Sequence, residues 1–248
     1  MRKICEYIAG SISYGTNNEN SDKDIRFCFL NTDVSKILGL DRFEHIDKIN
    51  PENNEDNFGF ELVSYLKLLK KSNTQCVEML FNDKWLEIAP EFKLIQDNRR
   101  LLIDSEAMFK CLRGYSAGEK HKITGVSTGK LGEKRKLMLE EFGYSPANAS
   151  HAIRLLRSGI LFFRCNDYHV NIVEKDKDYG YLIRDIKLNP QNYKVNELIK
   201  LIEELDKHLE NAFDNREINY TFDNQVANDI IYQCYMPVLK DYEEKRKI

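Results

Sequence analysis

The 248-residue sequence has no Cys-x-x-Cys pair and no His at the spacing of a zinc ligand set. Its six cysteines, Cys5, Cys28, Cys76, Cys111, Cys165 and Cys234, lie far apart. That spacing excludes zinc modules and the disulfide frameworks of small secreted domains, and it points to buried thiols in a reducing compartment. No apolar run approaches the roughly 20 residues of a membrane-spanning helix. The apolar part of the opening Met-Arg-Lys-Ile-Cys-Glu-Tyr-Ile-Ala-Gly is too short for a secretory leader. A cytoplasmic protein without membrane contact is expected. Internal repeats and low-complexity segments are also lacking, and so is a strong charge of either sign. With a net charge of -3, any nucleic-acid face has to come from the distribution of charge rather than its sum.

What is there describes an ordinary globular chain. Hydrophobic residues at 42% and charged ones at 31% suffice for a packed core under a solvated surface, and the length allows one large domain or two modest ones. The stretch with the sharpest chemistry is Gly10 to Arg26, Gly-Ser-Ile-Ser-Tyr-Gly-Thr-Asn-Asn-Glu-Asn-Ser-Asp-Lys-Asp-Ile-Arg. Ile4 to Ala9, either a first strand or the end of a helix, delivers the chain to Gly10-Ser11. Glycine there frees the backbone to approach a phosphate and Ser11 adds a hydroxyl donor. The polar loop Thr16 to Ser21 follows. Asp22 and Asp24 then enter a strand with Ile25, Phe27, Cys28, Phe29 and Leu30, and the period of two points both carboxylates the same way. Paired carboxylates repel unless a cation separates them, and Mg2+ or Mn2+ suits oxygen donors. A calcium loop fails, because Ile25 and Arg26 stand where further oxygen ligands and a Gly are needed.

Farther on, residues 31 to 55 are irregular and polar, with a short helix around Ser35 to Leu40 and a loop at Asn50 to Asp56. Glu61 to Lys71 carries Leu62, Tyr65, Leu66, Leu68 and Leu69 at helical spacing. Val77, Met79, Leu80 and Phe81 form a brief buried segment. From Ser105 helices dominate: Ala107 to Gly114, Lys130 to Phe142, Pro146 to Phe163, Val195 to Phe213 and Gln225 to Leu239, with a strand or hairpin arm at Tyr168 to Val173. Between Lys110 and Lys136 the positives Lys110, Arg113, Lys120, Lys122, Lys130, Lys134, Arg135 and Lys136 outweigh Glu119 and Glu133. Two glycine-flanked loops, Gly118 to Gly125 and Gly129 to Gly132, carry part of that charge and suit a phosphate or nucleic-acid clamp. Tyr115 is either a base-stacking residue or a core residue.

Gly10-Ser11, Tyr14, Gly15, Ser21, Asp22, Asp24, Ile25 and Arg26 together resemble the signature of the DNA polymerase β nucleotidyltransferase superfamily, in a bacterial and phage branch associated with RNA ligases and RNA repair. The resemblance continues in Asp56 ahead of the Glu61 helix, in Val77-Glu78-Met79-Leu80-Phe81, Arg113-Gly114-Tyr115, Tyr144-Ser145-Pro146, His151-Ala152-Ile153-Arg154-Leu155-Leu156, and an Ile-Arg turn at Ile183 to Lys187. It departs at Ala147, where the branch commonly has Lys, and at Ile186, where it has Gly.

The resemblance implies an α+β fold: a nucleotidyltransferase domain over residues 1-100, a small mixed β-sheet flanked by helices, then a mainly helical substrate-binding domain over 101-248. It implies Asp22, Asp24 and Asp56 as catalytic and metal-holding acids, with Glu61 the alternative to Asp56, and Mg2+ or Mn2+ as cofactor. Gly10, Ser11, Tyr14, Ser21, Arg26, Lys120, Lys122, His151, Arg154 and Arg184 are the nucleotide-binding candidates. The expected reaction moves a nucleoside monophosphate from a nucleoside triphosphate to an acceptor hydroxyl and releases pyrophosphate. An RNA end, such as that of a tRNA, is the leading acceptor. A protein hydroxyl, a small molecule such as an aminoglycoside, or a silent nucleotide-binding module are the alternatives.

Overall fold

The computed structural model describes residues 1–19, 21–39, 45–50, 55–125 and 133–246. Lys130, the loop Gly129 to Gly132, Glu52 and the side chain of Lys134 lie outside the described residues. Contacts between Cα positions group Met1–Ser13, Glu19–Ser105 and Tyr220–Ile248 in one unit, and Tyr14–Asn18 with Glu106–Asn219 in a second, where the sequence had pointed to a single cut near residue 100.

The first unit is built on a five-stranded mixed sheet, consistent with the expected α+β fold. β1 (Arg2–Ile8) and β2 (Asp24–Leu30) are antiparallel, β2 and β4 (Glu55–Glu61) parallel, β3 (His45–Asn50) and β4 antiparallel, and the two-residue β5 (Glu87–Ile88) flanks β1, giving the order β3-β4-β2-β1-β5. Alternation along β2 sends Ile25, Phe27 and Phe29 into one cluster with Ile46 and Ile8, while Cys28 and Leu30 are fully buried on the other face. Burying each such large apolar side chain contributes about 1.5–3 kcal/mol. Only the start of β2, at Asp24 and Arg26, is left polar and half-buried.

The β3–β4 pair corrects the reading of residues 31 to 55 as irregular. Its strands are Asn- and Asp-rich, so propensity hid a pairing that runs in unbroken register from His45↔Phe60 to Asn50↔Glu55. The short helix there is α2 (Val34–Leu38), capped by Asp33. The Glu61 helix is α3 (Leu62–Lys70), with Leu62, Tyr65, Leu66 and Leu69 buried. The buried segment at Val77 belongs to a further helix, α4 (Thr74–Phe81), whose Asn73 cap accepts from the amides of Gln75 and Cys76. α5 (Pro90–Asp97) follows, with Pro at its start. The last helix of the chain, α12 (Asn224–Arg246), joins this unit, burying Ala227, Ile230, Cys234 and Tyr235.

The second unit is helical: α6 (Ser105–Ile123), α7 (Glu133–Phe142), α8 (Pro146–Cys165), α9 (Ile172–Lys175), α10 (Lys177–Leu188) and α11 (Val195–Asp214). The expected strand at Tyr168 to Val173 is absent, its later part forming α9, and the expected Ile-Arg turn lies within α10. The stripe Leu198, Ile202, Leu205 and Leu209 on α11 is buried. Gly159 on α8 admits its neighbours closely, since a Cβ there would stand 2.7 Å from Leu112 Cδ1 and 2.8 Å from Leu209 Cδ1.

α6 overturns the glycine-flanked loop at Gly118 to Gly125, because the helix runs through Gly114 and Gly118 to Ile123. A Cβ at either glycine would meet nothing within 4 Å. Helix-interior glycine costs about 0.5–1 kcal/mol relative to alanine. Gly114→Ala and Gly118→Ala are therefore each expected to stabilise the protein by about that amount in denaturant titration; a loss of stability in either would show that an unseen close approach requires the glycine.

Candidate active site

The end of β1 builds the first part of the site. Ala9 donates its amide to the Asp24 carbonyl oxygen at 2.8 Å, closing the β1–β2 ladder one residue beyond Ile8↔Ile25. Gly10 then turns the chain at φ +66° into the short helix α1 (Gly10–Tyr14), where Ser13 Oγ donates to the Gly10 carbonyl at 2.9 Å. A Cβ on Gly10 would lie 3.1 Å from the carboxylate carbon of Asp24 and closer still to its Oδ2. Only glycine lets the strand end and the Asp24 carboxylate share this space. Ser11, next in α1, is half-buried.

β2 and β4 supply the acids. Asp24 pairs in register with Asp56, so the two carboxylates leave the sheet on one face of adjacent strands. Burial, followed by the charges of Asp56 and Asp22, pushes the Asp24 carboxyl above its ordinary range, with Arg26 opposing. Asp22 does not share the strand as expected: β2 begins at Asp24, and Ser21 and Asp22 precede it. Glu61, the alternative third acid, lies an odd number of residues from Asp56 and so on the opposite face of β4. Its carboxylate is committed elsewhere, accepting from the Ser64 amide at 3.1 Å as the cap of α3 and from the hydroxyl of Tyr235. Arg26 was expected to bind nucleotide; here its guanidinium pairs with Asp56.

Asp22, Asp24 and Asp56 are hard oxygen donors, and the charges of Asp56 and Asp22 add to the cost of charging the buried Asp24, which suits a divalent cation. The three do not form a closed cage, since among the described residues no group of three or more His, Cys, Asp and Glu side chains is placed to hold a metal ion.

In the second unit, α6 and α8 bring another set together. Glu119 is buried and accepts from Lys122 Nζ at 2.7 Å and from Asn148 Nδ2 at 2.5 Å, and Asn148 in turn accepts from Ser145 Oγ at 2.6 Å. Burial pushes the Glu119 carboxyl up, but these two donors outweigh it and the net shift is downward. Arg154, only 3% exposed, stacks over the Tyr14 ring with Cζ 3.7 Å from the centroid and places Nη2 3.4 Å from His151 Nε2. His151 keeps an exposed edge, yet crowding strips its hydration. That loss, then the Arg154 charge, takes its pKa down to about 4 against the pull of Glu119. The imidazole is neutral at pH 7.

Lys120 is turned to α11, where it pairs with Glu203 at 3.2 Å. Arg184 is exposed on α10. Tyr115 is 47% exposed and so is not the core residue of the two readings. Sequence reasoning missed Glu119, because reading Gly118 to Gly125 as a loop hid its helical i,i+3 relation to Lys122.

A glycine-serine strand end lies against an aspartate, with a second aspartate in register on the neighbouring parallel strand, within the stretch whose sequence resembles the polymerase β nucleotidyltransferase signature. Residues 4–124 match the model of the RlaP family, described as an RNA repair pathway DNA polymerase beta family, so that over this segment the chain is similar to polymerase β superfamily nucleotidyltransferases. No curated protein matches the chain. Among the described residues no helix is long and apolar enough to cross a membrane.

Proposed function

We propose that the protein transfers a nucleoside monophosphate from a nucleoside triphosphate to a hydroxyl at an RNA end, in RNA repair or processing, and releases pyrophosphate. The observation that carries this reading is the in-register pair Asp24↔Asp56 with Gly10 against the Asp24 carboxylate. In this reading Asp22, Asp24 and Asp56 hold Mg2+ or Mn2+, and the cation when bound offsets phosphate charge and lowers the pKa of the acceptor hydroxyl. Backbone amides after Gly10 and the Ser11 hydroxyl donate to the β- and γ-phosphates as charge builds on the leaving group. Ser21, directly before Asp22, offers a further hydroxyl.

Within the second unit, Arg154 held on Tyr14, Lys122 held on Glu119 and neutral His151 offer donors suited to phosphate or sugar oxygens. Arg184 offers an exposed guanidinium; Lys120 would have to leave Glu203 to contribute. The RNA acceptor is supported by the description of the matching family.

The test is incubation with each α-labelled nucleoside triphosphate and Mg2+ or Mn2+, offered total RNA including tRNA, total protein and small-molecule acceptors. Label migrating with RNA is expected. Label found only on protein or on a small molecule overturns the RNA acceptor, and nucleotide binding without cation dependence or pyrophosphate release overturns the enzyme.

A further inference from the structure

The acids of the first unit already have a cationic partner within the protein. Arg26 lies two residues beyond Asp24 on the same face of β2, opposite Phe58 of β4. Its Nη2 donates to Asp56 Oδ2 at 2.9 Å, and its Nη1 donates to the carbonyl oxygens of Asp56 at 2.9 Å and Ile25 at 3.0 Å. The guanidinium lies 5.9 Å from the Phe58 ring centroid. The Arg26 side chain is 12% exposed, against 40% for Asp56. A planar guanidinium fixed by three hydrogen bonds in a nearly closed setting is a built contact, unlike a surface pair that exchanges freely with water. One oxygen of Asp56 is thereby committed to Arg26.

We propose that Arg26 is a positioning residue that holds one oxygen of Asp56 against the divalent cation, so that a cation gains the whole Asp56 carboxylate only when the Arg26–Asp56 pair opens. The proposal rests on the reading of Asp22, Asp24 and Asp56 as cation-holding acids. Guanidinium and cation carry the same sign and compete for one carboxylate, and a positive charge at hydrogen-bond distance from a ligand raises the cost of bringing another. Once released, the guanidinium is a bidentate donor for a phosphate oxygen. A triphosphate offers it that second anion, so cation and triphosphate each favour the binding of the other. Arg26 thus weakens the hold of Asp56 on the cation until substrate arrives.

The experiment is calorimetric titration of Mn2+ alone into the full chain and its Arg26→Gln and Arg26→Lys variants, with circular dichroism as the check of fold. Arg26→Gln is expected to bind Mn2+ about tenfold more tightly than the parent. Arg26→Lys, which keeps the charge, is expected to stay close to the parent. Unchanged or weaker Mn2+ affinity in a folded Arg26→Gln variant overturns the proposal. Should Arg26→Gln lower the melting temperature, melting with and without Mn2+ decides: a larger upward shift by Mn2+ than in the parent supports it, and an equal or smaller shift overturns it. Absence of Mn2+ binding in the parent and both variants, with and without a non-hydrolysable triphosphate, overturns the cation reading of the acids and the proposal with it.

Discussion

Replacing Asp24 by Asn is expected to reduce the proposed nucleotidyl transfer by on the order of 10³-fold or more, because in the proposed role its charge on the cation is worth several kcal/mol of transition-state stabilisation. The same change is expected to leave the melting temperature unchanged or slightly raised. The reason lies in where the carboxylate sits. Burial first, then Asp56 and Asp22, hold the Asp24 carboxyl above its ordinary range, so its charge is a cost to the folded state at neutral pH. The sign follows: between the unfolded and the raised folded pKa the native state binds more protons than the unfolded chain, so this group adds stability as pH falls through that window and withdraws it as pH rises. Asn removes the charge and keeps the shape beside Gly10. Thermal denaturation and single-turnover transfer of label, measured on the same preparation, check both halves. Full transfer by Asp24→Asn would sink the catalytic role, and a cooperative loss of fold would assign Asp24 to structure.

Gly10→Ala is expected to lose both activity and stability. The backbone there is at φ +66°, where an L side chain costs about 1–2 kcal/mol. The added methyl would also overlap the Asp24 carboxylate, so either Asp24 swings away or the Ala9–Asp24 end of the β1–β2 ladder opens. Destabilisation of about 1–3 kcal/mol is expected, with transfer reduced as severely as in Asp24→Asn. A double-mutant cycle separates the two costs. In an Asp24→Ala background the overlap is gone and only the backbone cost remains, so Gly10→Ala should destabilise less there. Equal destabilisation in both backgrounds would show that the methyl never meets Asp24.

Local signals carried the helices well. The stripe Leu198, Ile202, Leu205 and Leu209 and the pattern Leu62, Tyr65, Leu66 and Leu69 were legible because a 3.6-residue period needs only nearby residues to declare it. Local pattern did not declare β3, and it left β4 to the family resemblance, because what stabilises Asn57 and Asp56 in a strand is pairing with β2 on one side and β3 on the other. α6 was cut short at Gly114, since glycine lowers helix propensity and tertiary packing overrode it. The Gly118 to Gly125 loop was lost for the same reason, and with it the contact of Glu119 with Lys122 and Asn148.

The sequence alone marked the candidate acids and the glycine-serine turn. Gly10-Ser11 and the Asp22-x-Asp24 spacing are contiguous in the chain, and the nucleotidyltransferase family match covers the segment that contains them. Only the tertiary structure decided which distant residues join them. Asp56 rather than Glu61 faces Asp24, because register on the parallel pair places Asp56 opposite Asp24 while five residues of alternation send Glu61 to the other face, where α3 and Tyr235 claim it. Tertiary structure also decided that Arg26 answers Asp56, a contact across 30 positions that no local pattern specifies. Chemistry lies in side-chain type and short spacing, whereas partnership lies in strand register, which the chain settles only when its sheet closes.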